Sequence, residues 1–212
     1  MSTVVLIDYG SGNLRSAEKA LARAAAELDR EVVVSAEPEV VAKAERLVLP
    51  GVGAFGHCMS LLHGKAGLVE AMTEAVKQRG VPFMGICVGM QLLGDRGLEF
   101  GETPGLGWIA GDVRKIEPRD QALKVPHMGW NALSLPRPHP ITRSLPDGGH
   151  MYFTHSFVLD ARDEADVIAF SEHGDRFVAA VARDNVAGMQ FHPEKSQANG
   201  IRLLGDFLEW RP

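Results

Sequence analysis

Gly85-Ile86-Cys87-Val88-Gly89-Met90-Gln91 is the stretch from which the rest of the chain is read. It follows Val81-Pro82-Phe83-Met84, a short apolar run that reads as a buried strand. It runs into Met90-Gln91-Leu92-Leu93, which reads as a helix. A cysteine with glycine at both second neighbours, at a strand-to-helix turn, has the form of a nucleophile elbow. The glycines permit a sharp bend that side chains would block. At a helix N-terminus the dipole and the free N–H groups favour the thiolate, the reactive form. The N–H of Val88 is placed to hold an oxyanion in the same pocket. Gln91, one helical turn on, shares the face of Cys87 and reaches toward a polar substrate. Most lone cysteines are small buried hydrophobes, and Cys58 is expected to be one. Cys87 differs only if a base stands elsewhere in the chain.

Upstream, residues 3–8 form a first buried strand and Tyr9-Gly10-Ser11-Gly12-Asn13 a turn. Leu14, Ala17, Leu21, Ala24 and Leu28 then recur at helical spacing. The Gly10-x-Gly12 pair lacks the third small residue of a dinucleotide loop, since Arg15 stands there, and the lysine of a P-loop. It is read as a structural turn, with Asn13 at the carboxyl end of the strand, where open α/β sheets place their sites. Residues 31–35 and 46–49 are further strands, and 39–44 a short helix. Pro50-Gly51-Val52-Gly53-Ala54-Phe55-Gly56 is a glycine-rich loop, and its Val52 N–H is a natural second oxyanion donor. A helix at 67–78 leads back to the cysteine strand. Strand alternating with helix predicts an α/β fold with a mainly parallel central sheet and helices on both faces.

Beyond residue 106 the pattern changes to short strand-like runs at 107–116, 123–126, 130–135, 151–159, 167–171, 177–183 and 186–191. These are expected to be antiparallel. A proline- and glycine-rich loop covers 136–149, and a helix is expected at 198–210. At 212 residues, with no internal repeat and no long linker, one domain over 1–212 is expected. A net charge of −5 without a basic run argues against nucleic acid or a membrane surface as partner. Two cysteines make no disulfide framework, and there is no C-x-x-C pair for zinc. Met1-Ser2-Thr3-Val4 does not open a signal peptide and no apolar run reaches membrane length, so a cytoplasmic protein is expected.

The base comes from Ala187-Gly188-Met189-Gln190-Phe191-His192-Pro193-Glu194-Lys195-Ser196. His192 precedes proline and is biased to extended backbone. In extended chain, residues two apart point the same way, which puts His192 beside Glu194. Glu194 then fixes one ring nitrogen and leaves the other for Cys87, the logic of nucleophile, base and orienter. A metal at Cys87 and His192 would lack enough soft ligands, and no cofactor is called for.

G-x-C-x-G-x-Q with a later H-P-E resembles the class I, triad-type glutamine amidotransferases. Ile7 to Leu14, Pro50 to Phe55, Pro126-His127-Met128-Gly129-Trp130-Asn131, Tyr152-Phe153-Thr154-His155-Ser156-Phe157 and Gln190 to Gln197 resemble, within that family, the branch serving imidazole glycerol phosphate synthase. Phe157 departs from the tyrosine often found there. The resemblance implies that Cys87 attacks the side-chain amide of L-glutamine, with His192 and Glu194 completing the triad and Val52 and Val88 supplying the oxyanion donors. It implies Gly53, Gln91, Glu99, His155 and Ser156 as substrate contacts. It further implies a (β/α)8 cyclase subunit as partner in a heterodimer, taking up the ammonia, with Asn13, Met128, Trp130, Lys195 and Ser196 near that interface. A glutaminase subunit of another synthase, such as anthranilate or guanylate synthesis, and an inactive binding module of the same fold remain the alternatives. A cysteine peptidase fits less well, because Gln91 and Val52-Gly53 suit a small amide.

Overall fold

The computed structural model describes residues 2–120 and 122–212; Met1, where the leader was sought, and Gln121 lie outside the described residues. The first half runs β1 (Ser2–Ile7), α1 (Leu14–Ala24), β2 (Arg30–Ser35), α2 (Pro38–Ala42), β3 (Arg46–Leu49), α3 (Phe55–His63), α4 (Leu68–Thr73) continued by a π-helical turn Glu74–Gln78, β4 (Phe83–Ile86) and α5 (Val88–Gln91). Val4 to Ile7, Leu47 to Leu49 and Phe83 to Ile86 are buried throughout. Such unbroken apolar strands belong inside a sheet covered on both faces. They pair in parallel, β2–β1–β3–β4.

The second half contributes β5 (Arg96–Gly97), β6 (Thr103–Pro104), β7 (Gly111–Lys115), β8 (His127–Ala132), β9 (His150–His155), β10 (Phe157–Ala161), β11 (Val167–His173), β12 (Asp175–Arg183), β13 (Val186–Met189) and α6 (Gln197–Glu209). β11, β12 and β13 extend the central sheet to seven strands, ordered β11-β12-β13-β4-β3-β1-β2. A second sheet runs β10-β7-β5-β6, and β8 and β9 form a hairpin.

Several expectations need correction. α3 was hidden by the glycine-rich loop, which was read as running through Gly56. Its buried residues Phe55, Cys58, Met59 and Leu62 nevertheless carry helical spacing. Residues 123–126 form no strand, and β7 begins only at Gly111. The run 151–159 breaks at Ser156 into β9, paired with β8, and β10, paired with β7. The helix after the cysteine is a single turn, so it offers free N–H groups rather than a macrodipole of any length. The correction with the largest consequence concerns β13. It is antiparallel to β12 as expected but parallel to β4, with Met189 opposite Ile86. Two parallel neighbours end at the same edge, so the residues after Ile86 and after Met189 emerge together.

Candidate active site

At that shared edge, the N–H of Cys87 donates to Met189 O at 2.7 Å. Cys87 holds φ +54°, ψ −112°, a conformation that is strained for any residue with a side chain. Its flanking glycines are sterically required. A Cβ on Gly85 would lie 2.3 Å from Gly89 O, and one on Gly89 would lie 1.9 Å from Leu49 O. The end of β3 therefore presses directly on the elbow and brings the Val52 loop beside the sulfur.

His192 follows β13 and is almost fully buried. Its Nδ1 meets Glu194 Oε1 at 2.8 Å, as the two-residue spacing predicts. Its Nε2 is buried without a hydrogen bond and is the nitrogen left for the thiol. The backbone around it is pinned. The N–H of His192 donates to Tyr152 O at 2.9 Å, and Ser196 Oγ donates to His192 O at 2.7 Å while accepting from the Tyr152 N–H at 3.0 Å. Burial works to lower the pKa of His192, but Cys87 and Glu194 beside it outweigh burial and raise it to about 9.

A pocket of about 220 Å³ joins these groups; Cys87, Val88, His192 and Gln91 line it together with Val52, Gly53, Thr154, His155, Ser156 and Lys195. Val88 opens the one-turn helix, so its N–H has no acceptor within the helix. The Val52 N–H is turned elsewhere. It donates to Ser11 Oγ at 3.1 Å, while Val52 O accepts from Ser11 Oγ at 2.8 Å and from Cys58 Sγ at 3.3 Å. Cys58 is buried, as expected, but it is engaged with this loop.

Gln91 sits beneath the pocket. Its Nε2 donates to Phe157 O at 2.9 Å and to Gln190 Oε1 at 3.1 Å. Both of its hydrogens are thus committed, and Oε1 is what it has left for a ligand. His155 is similarly occupied. Its Nδ1 bonds Phe157 O at 3.1 Å and its Nε2 bonds His127 Nδ1 at 3.0 Å. Because a carbonyl only accepts, His155 carries its proton on Nδ1, and His127 must donate into Nε2. Neither ring nitrogen of His155 is free for a substrate carboxylate. Burial lowers the pKa of His155 to about 3, with His127 adding to the effect, and that of His127 to about 4, with His173 adding to it. Glu99 does not line the pocket. Its carboxylate accepts from the Phe55 N–H at 2.8 Å and caps α3.

Of the residues expected at an interface, Asn13 and Lys195 are exposed, and Met128 and Trp130 are 63% and 46% exposed. Met128 and Trp130 share the outer face of β8, whose alternate residue His127 points inward. Lys195 stands at the pocket with Nζ 5.5 Å from the Tyr152 ring. Ser196 is buried, so its hydroxyl braces His192 rather than meeting another molecule. Ser11 and Gln190 were not singled out from the sequence. Nothing local marks Ser11, whose partner lies 41 positions away. Gln190 was within reach, because the alternation that pairs His192 with Glu194 extends back two residues to it. No helix among the described residues is long and apolar enough to cross a membrane.

A family model described as Glutamine amidotransferase class-I matches residues 5–209. The chain is 62% identical to a Caulobacter vibrioides protein named imidazole glycerol phosphate synthase subunit HisH, with 100% of each chain covered. A Ruegeria pomeroyi protein of the same name is 53% identical over 98% of each. Among solved structures, a glutamine amidotransferase is similar with a TM-score of 0.72 at 22% identity, covering 97% of each chain. The structure of PurLQS from Thermotoga maritima gives 0.70 at 20% identity, covering 98% of this chain and 97% of that one. At those identities the two solved structures bear on the fold alone.

Proposed function

The chain belongs to the class-I glutamine amidotransferases, and from that premise we propose how its residues carry out the work of the glutaminase subunit of an imidazole glycerol phosphate synthase. The observation that carries the account is the meeting of Cys87 with the His192–Glu194 pair in one small pocket, at the common end of β4 and β13.

Cys87 passes its proton to His192 Nε2 and attacks the side-chain amide carbon of L-glutamine. The negative charge moves from sulfur to the amide oxygen, where the Val88 N–H receives it. The tetrahedral intermediate collapses, the proton on His192 goes to the departing nitrogen, and ammonia leaves a thioester on Cys87. His192 then takes a proton from water, hydroxide attacks the thioester, and glutamate is released. Glu194 holds the ring and supports its positive charge. Gln91 Oε1, the free end of its amide, accepts an N–H of the substrate.

The second oxyanion donor is the Val52 N–H, which serves only after its peptide leaves Ser11 and turns toward Cys87. Gly51 and Gly53 on either side lower the barrier to that rotation. Docking of a (β/α)8 cyclase subunit over Asn13, Met128, Trp130 and Lys195 supplies the push. It also receives the ammonia, which in open water would be protonated and lose its nucleophilicity.

Glutamate release should be measured for the purified chain with and without the cyclase and its ribonucleotide ligand. Stimulation of about 100-fold or more, the worth of one oxyanion donor, is expected, and Cys87→Ala should abolish it. Equal turnover in the two conditions would sink the partner-gated account. It would leave a free-standing hydrolase or the subunit of another synthase.

A further inference from the structure

Gln190 lies directly after β13, is fully buried, and takes no part in the chemistry described above. Its Nε2 is 3.8 Å from Cys87 Sγ. No other side-chain N–H among the described residues hydrogen-bonds the sulfur. The remaining contact of Sγ is an acceptor, Thr154 O at 4.0 Å. We propose that Gln190 is a catalytic residue whose side-chain N–H holds the Cys87 sulfur as the thiolate, aimed there by Gln91. The proposal rests on Cys87 being the nucleophile.

The direction of the amide is dictated from a distance. Phe157 O only accepts, so Gln91 must present Nε2 to it. The second hydrogen of Gln91 then points at Gln190, which must answer with Oε1. That leaves the Nε2 of Gln190 facing the sulfur. Reversing either amide would set donor against donor or acceptor against acceptor in a buried site. The string therefore runs one way, from sulfur to the Phe157 carbonyl. Its two ends favour different states: Thr154 O suits the thiol, and the Gln190 N–H suits the thiolate formed when the proton moves to His192. When sulfur attacks the substrate carbon, charge leaves it for the oxyanion and this hydrogen bond weakens. Gln190 thus raises the population of nucleophile without stabilising the later charge. Because a stabilised thiolate is also a poorer nucleophile, the effect on turnover should be smaller than the effect on ionisation.

The experiment is the pH dependence of Cys87 alkylation by iodoacetamide in the full chain, followed by mass spectrometry of the Cys87 peptide, for wild type and Gln190→Met. The alkylation midpoint is expected to move to higher pH by about one unit, the size of one hydrogen bond to a charged group. In the presence of the cyclase, kcat at neutral pH should fall several-fold and recover at alkaline pH, with KM for glutamine changed less than about twofold. A folded Gln190→Met protein whose alkylation midpoint matches wild type would overturn the proposal. If that variant does not fold, wild-type protein decides the question. The side-chain 15NH2 resonance of Gln190 should move as Cys87 titrates and stop titrating once Cys87 is alkylated, and a resonance indifferent to both refutes the contact. Activity retained in Cys87→Ala would instead overturn the choice of nucleophile, an outcome the alkylation profile does not depend on.

Discussion

His192 and His155 line the same pocket and are both almost fully buried, yet they hold protons in opposite ways. Burial lowers the pKa of each. At His192, Cys87 and the Glu194 carboxylate 2.8 Å from Nδ1 reverse that and bring it to about 9. At His155 the ring neighbours are a neutral imidazole and a carbonyl, and the value falls to about 3. One carboxylate two positions along an extended chain separates a proton carrier from a packing residue. The His155 side is tied off completely. His127 donates to it, Asn131 Nδ2 donates to His127 Nε2 at 3.2 Å, and the same amide nitrogen donates to Glu172 O at 2.6 Å. His173 stacks on His127 with ring centroids 4.3 Å apart.

The sharpest way to break the contrast is to remove the charge and keep the shape. Glu194→Gln can still hydrogen-bond Nδ1 but no longer supports an imidazolium. Glutamate release in the presence of the cyclase is expected to fall by at least about 100-fold, measured as kcat under saturating glutamine. His127→Asn, which alters the other site, should keep activity within about tenfold of wild type. Similar losses from the two substitutions would mean that the histidines are not functionally distinct.

The next largest effect is on stability, and the two sites predict opposite pH limbs. His127 and His155 have folded values below the unfolded 6.5. The unfolded chain therefore takes up protons first as pH falls. Their contribution is present above about pH 6.5 and is lost as pH falls toward about 4 and below. His192, raised to about 9, contributes stability that is full below about pH 6.5 and is lost as pH rises through about 9. A plot of Tm against pH should be domed. His127→Asn is expected to flatten the acid limb, and Glu194→Gln the alkaline one, each by roughly 2 kcal/mol or less at the extremes. An alkaline limb that persists in Glu194→Gln would place its origin elsewhere.

The same contrast measures what a sequence alone discloses. The proton carrier was legible because its signal is local: His192, Pro193 and Glu194 sit within three residues, and extended geometry aligns the two side chains. The central parallel strands were legible for a similar reason, since unbroken apolar runs such as Val4 to Ile7 have one place to go. The packing histidines gave no comparable sign. His127 and His155 meet only because β8 and β9 pair in a register that sets one opposite the other. The expectation that His155 contacts a substrate carboxylate had no means of anticipating this. Ser11 is opaque on the same grounds, for its contacts, Val52 and Cys58, lie on another loop and another helix. The antiparallel expectation for the second half erred at β13 because β4, its parallel neighbour, is about a hundred residues earlier, and pairing at that range leaves no periodicity.

Ser196 spans the two sites and gives the smallest and most discriminating effect. Its hydroxyl donates to His192 O and accepts from the Tyr152 N–H, and Tyr152 lies on β9, the strand that ends at His155. Ser196→Ala removes both bonds and leaves a buried N–H without an acceptor, a cost of about 1–3 kcal/mol. The direct bond from the His192 N–H to Tyr152 O survives, so the backbone should sag rather than detach. Only the His192 side depends on a fine alignment of ring and sulfur. kcat is therefore expected to fall by roughly tenfold, since small displacements of a reacting group are expensive in rate. The acid limb, set by burial of His127 and His155, should keep its position on the pH axis. If Ser196→Ala moved that limb as far as His127→Asn does, the two histidine sites would be one coupled unit, and the contrast drawn from Glu194 would need another cause.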